Sequence, residues 1–266
     1  MSERFPRSNQ YNPQWAIANA SGGANALWLT EWLSNVVNLR PGMRVLDLGC
    51  GRAISSIFLH REFAVEVWAT DLWFSPSENL QRIRDAGAEG SVYPICANAR
   101  ALPFASDFFD AILSIDSFLY YGTDEHYLNY LARFVKPGGV IAIAQAGPMR
   151  EFDHQVPVAR KAWWEPGMSG LHSAAWWRQF GERTGILDMD RADSMPEGWQ
   201  SWVQGQEAVA PDNHVELDAI KADQGDYLGY VRVTGRRRAE VELLDPIESM
   251  SAPPNYVSQP LLRRGQ

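Results

Sequence analysis

The chain predicts an α/β protein built on an open, mostly parallel sheet, on three observations. From Arg44 onward, short apolar runs alternate with helical patterns. Such alternation folds as a sheet covered by helices on both faces. The first run, Arg44-Val-Leu-Asp-Leu, enters a turn holding Gly49 and Gly51. Polar residues suited to ligands then recur just after later runs, and open sheets of this type bind ligands at the carboxyl ends of their strands.

Residues 1–23 are polar, with Tyr11 and Trp15 as candidate anchors of an N-terminal arm. Residues 24–37 space Leu27, Trp28, Trp32, Leu33, Val36 and Val37 near a helical period, which predicts a helix lying over the ligand site. Strands are expected near 44–48, 64–70, 91–96, 109–115 and 139–145, with helices near 53–61, 76–87 and 124–134. Residues 173–185 read as a helix, with Ser173 as N-cap and Gly185 as stop. A strand near 186–192 follows, and Tyr227 to Gly235 alternates as the final strand. The folded domain spans 24–244. The tail, 245–266, carries Pro246, Pro253, Pro254 and Pro260 and reads as irregular, packed on the surface or on a second subunit.

Glycines in the first turn let the backbone approach a ligand where a Cβ would block it. A dinucleotide fingerprint needs a third glycine, but Gly49-x-Gly51 continues with Arg52, Ala53 and Ile54. Asp71 ends the second run about twenty residues on, where a carboxylate can accept from ribose hydroxyls. Val92-Tyr-Pro-Ile-Cys96 leads into Ala97-Asn-Ala-Arg-Ala-Leu-Pro-Phe104. Asp107-Phe-Phe-Asp-Ala-Ile-Leu-Ser-Ile-Asp116 ends in another carboxylate, and Phe134-Val-Lys-Pro-Gly-Gly139 precedes a further apolar run.

This ordered series resembles the class I S-adenosylmethionine (SAM)-dependent methyltransferases, in particular small-molecule methyltransferases with a core like that of the ubiquinone/menaquinone methyltransferases. The resemblance covers roughly residues 25–195. It implies a Rossmann-like seven-stranded sheet whose last strand runs antiparallel, with inserted lid segments. It implies SAM, leaving as S-adenosylhomocysteine (SAH), against Asp47, Gly49 and Gly51 for the methionine part and Asp71 for the ribose, with Cys50 and Leu72 also lining the cofactor site. Asn98 and Ala99 would meet the adenine, and Asp116 would close the cofactor site. Ala53 stands where members often have a third glycine, and Asn98 where many carry Asp; an Asn oxygen can still accept from the adenine amino group. Cys50 itself reads as a small packing residue. Trp73 either packs on the adenine or is a core or surface tryptophan.

The length fits one large domain, with or without a sizeable insertion. A net charge of −8 argues against a nucleic-acid partner, and the one strong basic run, Arg236-Arg-Arg238, reads as a solvated strand end or loop. Neither a signal pattern nor a membrane-length apolar run is present, so a soluble, cytoplasmic protein is expected. Cys50 and Cys96 lack the spacing of a zinc site, and no metal is expected.

Two segments stand outside the core pattern, about 147–172 and 195–225. They carry Trp163, Trp164, Trp199 and Trp202, and they read as a lid over an aromatic-lined pocket; the competing reading is that these rings only bury the lid. Methyl transfer needs alignment, water exclusion and one proton handled. Asp116 is the candidate base, or else a cap for the turn that follows. His126 and His172 are further candidate bases, with capping or solvated roles as the alternatives. Tyr120, Tyr121, His154, Trp164 and Trp199 are candidate substrate contacts, and Glu165 a candidate contact for a cation. The leading function is methyl transfer to O, N or C of a small, aromatic or apolar molecule, with cations also suited to tryptophan faces. The alternatives are a different SAM reaction and a non-catalytic SAM-binding regulator. A homodimer is a candidate assembly.

Overall fold

Each expected strand is present: β1 (Arg44–Leu48), β2 (Glu66–Asp71), β3 (Val92–Cys96), β4 (Phe109–Ile115), β5 (Val135–Pro148), β6 (Leu187–Ser194) and β7 (Leu228–Arg237). The structure, a computed structural model, describes residues 4–124, 126–152 and 161–243. The strands form one sheet in the order β3-β2-β1-β4-β5-β7-β6. Neighbours from β3 through β5 pair in parallel, and β7 runs antiparallel to both β5 and β6. Topology and direction match what the resemblance implies.

Side chains alternate across the sheet, as a period of two requires. Val45, Val67, Ala69, Leu113, Ala142 and Ala144 bury one face, under α2 (Ala26–Ser34), α3 (Ile54–Phe63) and α4 (Pro76–Asp85). Leu46, Leu48, Ile112, Ile141 and Ile143 bury the other, under α5 (Tyr127–Ala132) and α6 (Ala174–Thr184). The caps of α6 are those read from sequence. Ser173 Oγ accepts from Trp176 N at 3.2 Å, and Gly185 takes φ +67°.

Four features differ from expectation. β5 takes in the expected turn at Lys136–Gly139. Its register with β4 jumps between Phe109↔Val135 and Ala111↔Val140, so the turn residues bulge inside a strand. Segment 195–225 is not a loop: it folds as α7 (Gly198–Val209) and α8 (His214–Asp223). The helix expected over 24–37 ends at Ser34 and packs on α3 and the sheet. The chain that reaches the ligand edge is instead the strap before it, residues 19–25. The arm is anchored as expected through α1 (Pro13–Ala18): Tyr11 stacks on Trp15 and donates to Glu62 Oε1 at 2.9 Å.

The basic run is a strand end, with Arg236 paired to Asp190, Arg237 to Asp107 and Arg238 to Asp188. His154, with the rest of residues 153–160 of the first insertion, and the tail from 245 lie outside the described residues. Among the described residues no helix is long and apolar enough to cross a membrane.

Candidate functional site

Asp47 is the polar exception on an apolar strand and is fully buried. The first turn of α3 supplies its support: Ser55 Oγ and Ser56 Oγ donate to Asp47 Oδ2 at 2.5 and 2.6 Å. Asp47 Oδ1 is buried with no protein partner. Burial raises the carboxyl to about 6 against the pull of the two serines, and nearby Asp71 adds to the rise.

The turn after β1 takes its shape from positive φ at Gly49 (+80°) and Gly51 (+54°). The space a Cβ would occupy is filled by protein. A Cβ on Gly49 would collide with Ser117 Oγ, and one on Gly51 would lie 2.7 Å from Ser21 Oγ. These glycines therefore admit the β4 loop and the strap against the turn. Cys50 is buried, and burial pushes its thiol well up, so it packs and does not react.

Asp71 ends β2 beside this turn. Its Oδ2 accepts from Gly51 N at 2.8 Å, and its Oδ1 from Trp73 N at 2.7 Å and Phe74 N at 3.2 Å. These bonds fix the carboxylate, which keeps lone pairs for further donors. Leu72 and Trp73 are 52% and 72% exposed, and the Trp73 ring meets Tyr120 edge-on at 5.5 Å. Asn98 is exposed, and its side-chain oxygen accepts from Arg100 N at 2.9 Å. Ala99 O is held by the Tyr127 hydroxyl at 3.1 Å.

Asp116 follows β4 with φ +53°, a conformation that costs energy for a non-glycine residue. Its Oδ1 accepts from Ala146 N at 3.0 Å, and its other oxygen faces Gly23 of the strap. Burial raises the carboxyl to about 6, with Glu216 of α8 adding repulsion. The strap is pinned from three sides. Ala24 N donates to the Tyr230 hydroxyl at 2.6 Å, Gly205 of α7 packs against Gly23 O, and Arg52 Nη1 donates to Ala18 O and Ala20 O at 3.1 Å.

Of the remaining candidates, the structure brings Tyr120 to this edge and places the others elsewhere. Tyr121 is buried. Its hydroxyl donates to Leu48 O at 3.2 Å and sits beside Ser114 and Ser117, so it supports the glycine turn from beneath. His126 is exposed at the start of α5, its N–H on Asp124. His172 is stacked on Trp176 at 3.7 Å with Nδ1 3.1 Å from Glu151 Oε2. Trp199 packs against Gly225, and Trp164 meets Phe152 edge-on at 5.1 Å. Tyr120 is 55% exposed at the edge. Two surface clefts, of about 450 and 380 Å³, lie on the outer side of β3 and beneath the arm, and neither includes a residue of this site.

The motifs read from the sequence did not point to Ser55 and Ser56 beneath Asp47, to Tyr230 under the strap or to Glu216 near Asp116. The serine pair in the first turn of α3 was a readable signal for a buried carboxylate. Tyr230 sits in an ordinary alternating strand and gives none. The residues present suit the implied cofactor: Asp47 Oδ1 is a buried acceptor without a donor, Asp71 keeps lone pairs for further donors, and Leu72 is apolar and exposed.

Residues 46–143 match the family model described as a methyltransferase domain. The ubiquinone/menaquinone biosynthesis C-methyltransferase UbiE of Vibrio vulnificus is 34% identical over 129 residues, 47% of this chain and 49% of that protein. The chain thus spans about half the length of the curated relatives it matches. Among solved structures, the geranyl diphosphate C-methyltransferase of Streptomyces coelicolor, solved with SAH, superposes at a TM-score of 0.65. It is 16% identical, over 87% of this chain and 98% of that one. The cyclase SpnF superposes at 0.64, also at 16% identity, over 88% and 92%. These two likenesses concern the fold.

Proposed function

We propose that the chain, whose residues 46–143 match a methyltransferase domain, is a class I SAM-dependent methyltransferase that transfers the methyl group of SAM to an oxygen, nitrogen or carbon atom of a small molecule. The observation that carries this reading is the row of carboxylates Asp71, Asp47 and Asp116 at the carboxyl ends of the neighbouring strands β2, β1 and β4. Asp47 Oδ1 would hold the amino group of the methionine part, and Asp71 the ribose hydroxyls. Leu72, Asn98 and Ala99 would flank the adenine.

SAM supplies an activated methyl carbon when bound. The protein's task is then to align the acceptor, exclude water and handle a proton. Asp116 is placed to hold or take that proton, and a carboxyl raised to about 6 lies close to the range useful to a base at neutral pH. The strap, with α7 behind it, would shield the edge from solvent.

The test is calorimetric titration of the protein with SAM and SAH, followed by mass spectrometry of candidate acceptors for the gain of one methyl group. Both nucleotides should bind, at least about tenfold more weakly to Asp71→Ala. Asp116→Asn should keep SAH affinity and lose turnover. Failure of wild-type protein to bind either nucleotide would overturn the reading.

A further inference from the structure

Beyond the cofactor edge, Asp116, Tyr120 and Tyr230 all lie within reach of the charge of Glu216 on α8, and the aromatic residues of α7 stand beside them. Trp202 is buried there, edge-on to Trp163 at 5.6 Å and tilted against Tyr230 at 5.3 Å. Glu216 is held beside them. Its Oε1 accepts from Trp202 Nε1 at 2.8 Å, and its Oε2 from Gln206 Nε2 at 2.8 Å and Asn213 Nδ2 at 2.7 Å.

Gln206 carries the second, independent observation. It is 3% exposed, and its Oε1 is buried with no donor. A carboxylate only accepts, so the NH₂ end of Gln206 must face Glu216 and the unsatisfied end is the carbonyl oxygen. A buried oxygen left without a donor costs roughly 1–3 kcal/mol, and the group that would complete it is an N–H donor. Among the described residues, the charges that bear on the two hydroxyls here have one sign. The Tyr120 hydroxyl is pushed up by burial and then by Asp116, Glu165 and Glu216. The Tyr230 hydroxyl is pushed well up by burial, with Asp116 and Glu216 among the causes. Arg100 reaches this region only at the Tyr120 carbonyl, 3.4 Å away.

We propose that this cluster takes its acceptor as an alkylammonium cation, so that the methylated atom is an amine nitrogen. Glu216 and the Gln206 oxygen receive the cation, and Trp202, Trp163 and Tyr120 present aromatic surface to it. This deepens the methyl-transfer reading and rests on it. The amine gives up a proton to the Asp116 carboxylate. Its freed lone pair then forms the N–CH₃ bond as the S–CH₃ bond breaks, and that electron pair stays on sulfur, which becomes a neutral thioether. The product is again a cation and remains matched to the cluster until it leaves.

The test separates the two readings. SAH binding by calorimetry comes first, and its absence overturns methyl transfer itself. On protein saturated with SAH, tryptophan fluorescence is then titrated with tert-butylammonium against tert-butyl alcohol, and with phenethylammonium against phenethyl alcohol. Each cation should bind at least about tenfold more tightly than its neutral counterpart. Glu216→Gln should erase most of that preference while SAH affinity stays unchanged. Equal binding of cation and neutral counterpart by wild-type protein, which needs no variant, overturns the proposal. So does an unchanged preference in Glu216→Gln.

Discussion

Burial raises the Asp47 carboxyl to about 6 although Ser55 and Ser56 both donate to it. The folded chain therefore holds this proton more tightly than the unfolded chain, where an aspartate titrates near ~3.9. The stability that this group contributes is complete below that value and is lost as pH rises through about 6. Asp116, raised to the same region, acts with the same sign. Melting temperature should therefore fall as pH rises from about 4 to about 6.5 on account of these two groups, and Asp47→Asn should flatten part of that fall in a calorimetric pH series. A cation at Asp47 Oδ1 favours the charged carboxylate, so SAH affinity should weaken as pH drops below about 6, as titrations on either side of that value would reveal. An aspartate inside an apolar strand announced itself in the sequence, as did Gly49, Gly51 and Asp71. Tyr121 did not. Its place beneath β1 depends on the short helical turn Phe118–Tyr120, which reverses the chain and which Ser117-Phe-Leu-Tyr does not signal.

At the scale of elements, α3 begins on a residue in an awkward conformation. Ala53 caps it with φ +60°, where a residue with a Cβ costs roughly 1–2 kcal/mol. Ala53→Gly should raise stability by up to about 1 kcal/mol, and Ala53→Val, branched and fully buried, should lower it by more, both read from urea unfolding midpoints. Alanine is the smallest side chain that still costs this strain, which explains why the sequence motif reads as intact without its third glycine. Helix α6 was legible because Ser173 and Gly185 mark its ends. Helices α7 and α8 were not. Glu197 enters α7 in the left-handed region without a side-chain cap, and Gly198 and Gly205 sit inside it. Gly205 is there for the strap: a Cβ would lie 2.6 Å from Gly23 O. A helix chosen for close approach loses the propensity signal that would reveal it. The acidic and aromatic wall that α7 and α8 carry was hidden with them.

The whole molecule repeats this division. The parallel half of the sheet and the position of each strand could be read from alternation and turn residues, because those signals are local. The meeting of Asp116 with Gln206, Glu216 and Tyr230 joins one residue to a segment 90 to 114 residues further along the chain, and nothing local encodes it. The sheet order carries one more consequence, for how the molecule is made. β7 is the last strand of the described chain, yet it lies between β5 and β6. Until it arrives, β5 and β6 each present an unpaired edge, and Tyr230 is not there to receive Ala24 N. During synthesis, a ribosome-bound chain that has emerged only as far as α8 should be readily proteolysed, with its strap loose and SAH unbound. Protection should appear in one step once residues through Arg237 clear the exit tunnel.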